Sequence, residues 1–118
     1  MHSAAFANTP QPPYYAVIFT SQRSDTEHQP YAEMADAMVA LAAQQPGFLG
    51  AESTRGGDGL GITVSYWQSE EDIRRWKAHS DHLIAQRIGA ERWYAHYQVR
   101  VAKVERILWH AARERSLT

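Results

Sequence analysis

An α+β domain with the element order β-α-β-β-α-β is predicted from three observations. Apolar residues alternate with period two at the two ends of the chain, over residues 14–21 and 92–108. A run of Gly56, Gly57, Asp58 and Gly59 sits between two further β-rich stretches and supplies the turn residues of a hairpin. Apolar positions at helical spacing follow Pro30 and Ser69.

Each element has a local reason. Residues 1–13 (MHSAAFANTPQPP) are small, polar and Pro-rich, so a flexible N-terminal arm is expected there. Strand-forming YYAVIFTS follows at 14–21, with Tyr15, Val17 and Phe19 on one face. After a polar loop, Pro30 can occupy the first turn of a helix reaching about Gln45, striped by Met34, Met38, Leu41 and Ala42. Pro46 and Gly47 stop it. Residues 48–55 then read as a second strand, and ITVSYW at 62–67 as the returning arm of the hairpin. Ser69, followed by Glu70, Glu71 and Asp72, is a helix start, because a hydroxyl caps free N–H groups and acids favour the positive end of the dipole. That helix carries Ile73 and Trp76, and Ser80 or Asp81 offers a second start within it, with Gly89 as the stop. In the last strand Trp93, Ala95, Tyr97, Val99 and Val101 alternate with His96, Gln98 and Arg100. The expected domain is 14–108, with 109–118 as a tail.

Composition narrows the function classes. At 118 residues, one core is the default. Twelve basic and 13 acidic residues give a net charge of −1, which does not suit a nucleic-acid partner. No cysteine is present, so disulfides, thiolate metal sites and a Cys nucleophile are excluded. No stretch approaches the roughly 18 apolar residues of a membrane span, and a cytoplasmic location is expected. Four Trp, six Tyr and three Phe form a large aromatic inventory, suited to a packed core or to a pocket for a flat ligand.

The element order is that of a ferredoxin-like, split β-α-β fold, one antiparallel sheet with both helices on one face. Its other face needs a cover, and a second copy packing sheet to sheet is the simplest one, so a homodimer is expected.

Four segments in order, QPGFLG at 45–50, Tyr66-Trp67, SEEDIRRWK at 69–77 and WYAHYQVRVAKVE at 93–105, resemble the antibiotic biosynthesis monooxygenase (ABM) domain family. The resemblance implies a dimeric α/β barrel. It also implies a range of activities: cofactor-independent oxygenases of anthrone-like polyketides, quinol oxygenases and haem-degrading monooxygenases. In the haem-degrading branch a helix Trp is followed ten residues later by a His ligand, and the first strand carries an Asn. Trp76 matches the first of these, but Gln86 stands in the ligand position and residues 14–21 hold no Asn. His82 is the substitute ligand one turn earlier.

The expected reaction is therefore oxidation of an aromatic, quinol or polyketide-type small molecule by O2 without a cofactor. Haem binding and degradation, and a non-catalytic ligand-binding dimer, are the alternatives. His79 and His82, three apart, are the candidate bases that would make an electron-rich carbanion of the substrate. Arg100 is the candidate stabiliser of oxyanion charge. Tyr66, Trp76 and Trp93 are the candidate aromatic wall, and Leu83 and Gln86 complete the candidate substrate-binding set. Each has a structural alternative: Trp76 as core, Arg100 as an ion-pair partner, the histidines as polar residues at a helix break. No HExxH or comparable ligand spacing is present, so no metal site is expected.

Overall fold

The computed structural model of the chain describes residues 6–22, 37–87 and 97–109. Strand β1 spans Tyr14–Gln22, β2 Phe48–Arg55, β3 Leu60–Trp67 and β4 Tyr97–Val104. Residues 37–43 are helical and are labelled α1, and α2 spans Glu70–Arg87. Positions 30–36 of the expected first helix and 92–96 of the expected last strand lie outside the described residues. The sheet has the order β2-β3-β1-β4, antiparallel throughout, which is the α+β ferredoxin-like arrangement that the element order implied. No described helix is long and apolar enough to cross a membrane.

Two elements differ from their sequence-based bounds. The last strand ends at Val104 because β1, its neighbour among the described strands, begins at Tyr14, the residue opposite Val104. Pro13 precedes that pair and has no N–H to extend the ladder. Helix α2 runs unbroken through Ser80 and Asp81. Ser80 is buried and its hydroxyl donates to the Lys77 carbonyl at 3.0 Å, so it back-bonds within the helix and caps nothing.

The start of α2 follows the sequence closely. The Asp72 N–H donates to Ser69 Oγ at 3.1 Å, and the Ser69 hydroxyl donates to Asp72 Oδ2 at 2.9 Å. Arg75 holds the other carboxylate oxygen. This reciprocal cap fixes a buried carboxylate against Gly47, whose φ is 85° and whose carbonyl accepts from Gln68 N–H at 2.8 Å. A Cβ at Gly47 would lie 2.0 Å from Asp72 Oδ2. Gly47→Ala is therefore expected to cost about 3 kcal/mol, from positive-φ strain plus displacement of the cap, read as a lower urea midpoint at unchanged m.

Both helices pack on one face of the sheet, which we call the inner face. Val17, Met38, Ala42, Trp67, Ile73 and Trp76 form the buried cluster there. Trp67 is fully buried, its indole N–H donating to Ser65 Oγ at 2.8 Å. Phe48 packs edge-on against it and Trp76 lies tilted beside it, each with ring centroids 5.5 Å away.

The register settles which side chains are inner. Val17 pairs with Ser65 and Val101, and Phe19 with Thr63 and Val99, so these share the inner face. Strand β2 keeps phase only through a bulge: Phe48 opposes Trp67 but Gly50 opposes Tyr66, leaving Leu49 as the extra residue. Beyond the bulge Ala51 is inner and Glu52 outer. The N-terminal arm lies against the outer face. Ala7 N–H donates to Glu52 Oε2 at 3.0 Å, and Thr9 Oγ1 and Tyr14 Oη are hydrogen-bonded at 2.9 Å. Gly50 admits the arm, since a Cβ there would meet the Ala7 methyl at 3.0 Å.

Candidate functional site

Helix α2 presents Ile73, Trp76, Ser80 and Leu83 toward the sheet, a stripe at spacings of three, four and three. Among the described residues it packs chiefly on β3, and Val101 of β4 is 52% exposed. Under this arrangement lies a cleft with two lobes. The lobe beneath α1 is walled by Phe48, Ala42 and Met38 with Thr63 and Ser65 at its floor, and encloses about 430 Å³, open mouth included. The lobe between α2 and β4 is walled by Ile73, Tyr97, Val99 and Val101, with Lys77, Ser80 and Asp81 along its rim, and encloses about 670 Å³, mouth included. Val17, Phe19, Met38 and Trp76 belong to both lobes. With the open mouths left out, the lobe beneath α1 holds about 30 Å³, room for little more than a water molecule, and the lobe between α2 and β4 about 220 Å³, so the second is the one with space for part of a small organic ligand.

Trp76 is the chemical singularity of this cleft. The residue is 8% exposed and, among the described residues, its Nε1–H has no hydrogen-bond partner. Trp67, its neighbour in the core, satisfies its own N–H with Ser65. A buried donor left unpaired costs about 1–3 kcal/mol, so a ligand acceptor placed against it recovers that cost. At the rim of the open lobe Asp81 Oδ2 accepts from Lys77 Nζ at 2.7 Å, which holds a carboxylate in place beside the apolar wall.

Of the residues singled out by the sequence, Trp76 lines the cleft, and Leu83 packs half-buried against the same core. Tyr66 is on the outer face, because it pairs with Ala16 and Gly50 and alternates with Ser65 and Trp67. There its ring meets Tyr14 edge-on at 5.7 Å and its hydroxyl donates to Glu52 Oε1 at 2.7 Å. Burial, then the Glu52 hydrogen bond and charge, then Tyr14, push its phenol above the ordinary tyrosine range, so it stays a donor. Tyr66 and Trp76 therefore form no common wall. His79 and His82 are exposed, and neither lines a lobe. Arg100 is also outer, opposite Ile18, and donates to Gln98 Oε1 at 2.7 Å. The Gln86 side chain and Trp93 lie outside the described residues.

The lining residues that sequence reasoning passed over are Phe19, Met38, Phe48, Thr63, Ser65 and Asp81. Period two carried the signal for Thr63 and Ser65, which alternate with Ile62 and Val64 in ITVSYW. Among the described residues no group of three or more His, Cys, Asp or Glu is placed to hold a metal ion. No described imidazole lines the cleft, and His82, the substitute haem ligand, lies outside it.

Comparison with known proteins agrees with this architecture. The chain is 55% identical over 100 residues to the uncharacterized protein YqjZ of Bacillus subtilis (strain 168), covering 85% of this chain and 87% of that one. Among solved structures, SnoaB from Streptomyces nogalater, described as a cofactor-independent oxygenase, aligns at a TM-score of 0.55 and 16% identity, over 88% of this chain and 99% of that one. Rv0793 from Mycobacterium tuberculosis aligns at 0.62 and 13%, over 83% and 99%. At such identities these two likenesses speak for the fold alone. The family model described as antibiotic biosynthesis monooxygenase matches residues 13–87, and with this match and the YqjZ relative the chain belongs to that family.

Proposed function

We propose that the chain is a cofactor-independent monooxygenase that oxidises a flat aromatic substrate of quinol or polyketide type with O2 in the two-lobed cleft. The observation that carries this reading is the unpartnered Trp76 N–H within an aromatic and aliphatic wall. Family membership and the likeness to an oxygenase of that kind support it. The working unit is a homodimer joined through the outer faces of its sheets.

Triplet O2 reacts slowly with closed-shell molecules, so the substrate itself supplies the electrons. An activated C–H or phenolic O–H gives up its proton, and the Trp76 N–H hydrogen-bonds the resulting enolate or phenolate oxygen. Asp81 is the acceptor that receives the proton at the rim. The anion passes an electron to O2, the radical pair collapses to a peroxide, and loss of water leaves a new carbonyl. One oxygen atom enters the product and the other leaves as water, with two hydrogens removed from the substrate. The protein's part is to bind, orient and desolvate the ring between Phe19, Tyr97 and Trp76.

Oxygen uptake with a panel of anthrones and reduced naphthoquinones tests the reading. The expected result is uptake above buffer, insensitive to chelators, with one atom of isotopically heavy oxygen in each product molecule. A panel without uptake sinks the oxygenase reading, and stoichiometric binding with unchanged release would make the cleft a ligand-binding site. Haemin titration is expected to give no saturable Soret shift.

A further inference from the structure

The two lobes of the cleft are unequal. With the open mouths left out, the lobe between α2 and β4 holds about 220 Å³ and the lobe beneath α1 about 30 Å³, so an aromatic ring enters the first and is too large for the second. The smaller lobe is no isolated void, however, because Val17, Phe19, Met38 and Trp76 line both. A molecule held in it and a ring held beside it share those walls.

The chemistry of the wall decides what the small lobe can take. Val39, Ala42, Phe48 and Ala51 contribute carbon alone, and its hydroxyls among the described residues are those of Thr63 and Ser65. Ser65 Oγ already accepts the Trp67 indole N–H at 2.8 Å. An ordered water asks for roughly two to four polar partners, whereas cavities walled by carbon stay dry and admit apolar guests. A void this narrow leaves its lining without dispersion contacts, which a small apolar molecule restores. Of the two reactants in the proposed reaction, O2 is the apolar one small enough to enter.

We propose that the lobe beneath α1 is a dioxygen niche, in which O2 is held against Met38, Phe48 and Ala51 while the organic substrate occupies the larger lobe. The inference rests on the oxygenase reading above and adds the place of the second substrate. Size keeps the two reactants from competing, since the ring cannot displace O2 from a space it does not fit. Once the ring closes the larger lobe, O2 lies across the shared wall from it, and the substrate anion passes its electron to O2 there.

Xenon, an apolar atom that fills such voids, probes the niche without turnover. In methyl proton–carbon spectra of the whole chain under rising xenon pressure, the Ala42 and Ala51 signals are expected to shift and to saturate. Ala51 stands opposite Ser65 on the inner face, so the added methyls of Ala51→Val enter the niche and are expected to abolish the Ala42 shift. With a responsive substrate, that variant should raise KM for O2 about tenfold while the Kd of the organic substrate under nitrogen changes by less than about twofold. Xenon should also inhibit the wild type competitively against O2 and not against the organic substrate. Ala42 and Ala51 methyls that ignore xenon in the wild type overturn the niche, whether or not the variant folds. An Ala51→Val enzyme that loses affinity for the organic substrate and keeps its KM for O2 overturns it as well. Saturable xenon shifts without oxygen uptake from any substrate overturn the oxygenase reading instead, and with it the role given to O2.

Discussion

Trp67→Ala is expected to cost about 3–5 kcal/mol, the largest loss of stability among the described positions. Trp67 has no exposed surface, touches Phe48 and Trp76 at the junction of β2, β3 and α2, and occupies the inner end of the strand whose next residues begin the helix cap. Its removal would open a void that neither ring fills and would also strand the Ser65 hydroxyl, which is buried. Domains of this size hold about 5–15 kcal/mol in total, so the variant should melt roughly 10–20 °C lower, or fail to fold at growth temperature. Urea unfolding followed by near-UV circular dichroism measures it. A loss below about 1 kcal/mol would mean that the two neighbouring rings collapse into the space and that the core is not built around this indole.

Trp76→Phe is expected to behave in the opposite way. The phenyl ring keeps most of the apolar contact in the shared wall, while the unpartnered N–H disappears. Stability should therefore hold or rise by about 1 kcal/mol, since an unsatisfied buried donor is lost along with some packing. Turnover of a responsive substrate should fall by about 10- to 100-fold, mostly in kcat, because the hydrogen bond strengthens as negative charge gathers on the substrate oxygen. Equal kcat and KM in the variant would show that the N–H touches no reacting oxygen. The pairing of unharmed stability with impaired turnover separates Trp76 from Trp67, although the two rings are neighbours in one cluster.

The order of elements was legible because each signal was local. Ser69 with its acids starts α2, Gly56 to Gly59 turn the hairpin, and alternation marks β1 and β4. What the chain does not announce is phase between elements. Tyr66 and Trp67 are adjacent and both aromatic, yet the pleat sends them to opposite faces, and only the pairing with β1 tells which is inside. Arg100 was legible as standing opposite the apolar residues of its strand, but the helices lie on the apolar side, so the cation is turned away from the cleft. His79 and His82 share a helix with Trp76 but fall off the stripe that Ser80 and Leu83 continue. Ser80 hid that stripe, because a hydroxyl looks like a surface residue until its back-bond to Lys77 is seen. Asp81 escaped notice for a related reason: its place beside the cleft depends on how α2 leans away from β4, a tertiary property.

The extra residue at Leu49 has a genetic consequence. Because the ladder skips Leu49, the chain without it would still alternate in phase, with Phe48 and Ala51 inner and Glu52 outer. A deletion of that single codon would thus regularise the pairing and leave the Glu52 carboxylate on Tyr66 and the arm, whereas an added codon between Gly50 and Glu52 would turn the carboxylate toward the apolar cleft unless a second bulge absorbed it. Insertions should therefore be purged from that short stretch more severely than the loss of one residue. The bulge is one residue of slack, so selection guards an upper bound on the count between Phe48 and Glu52.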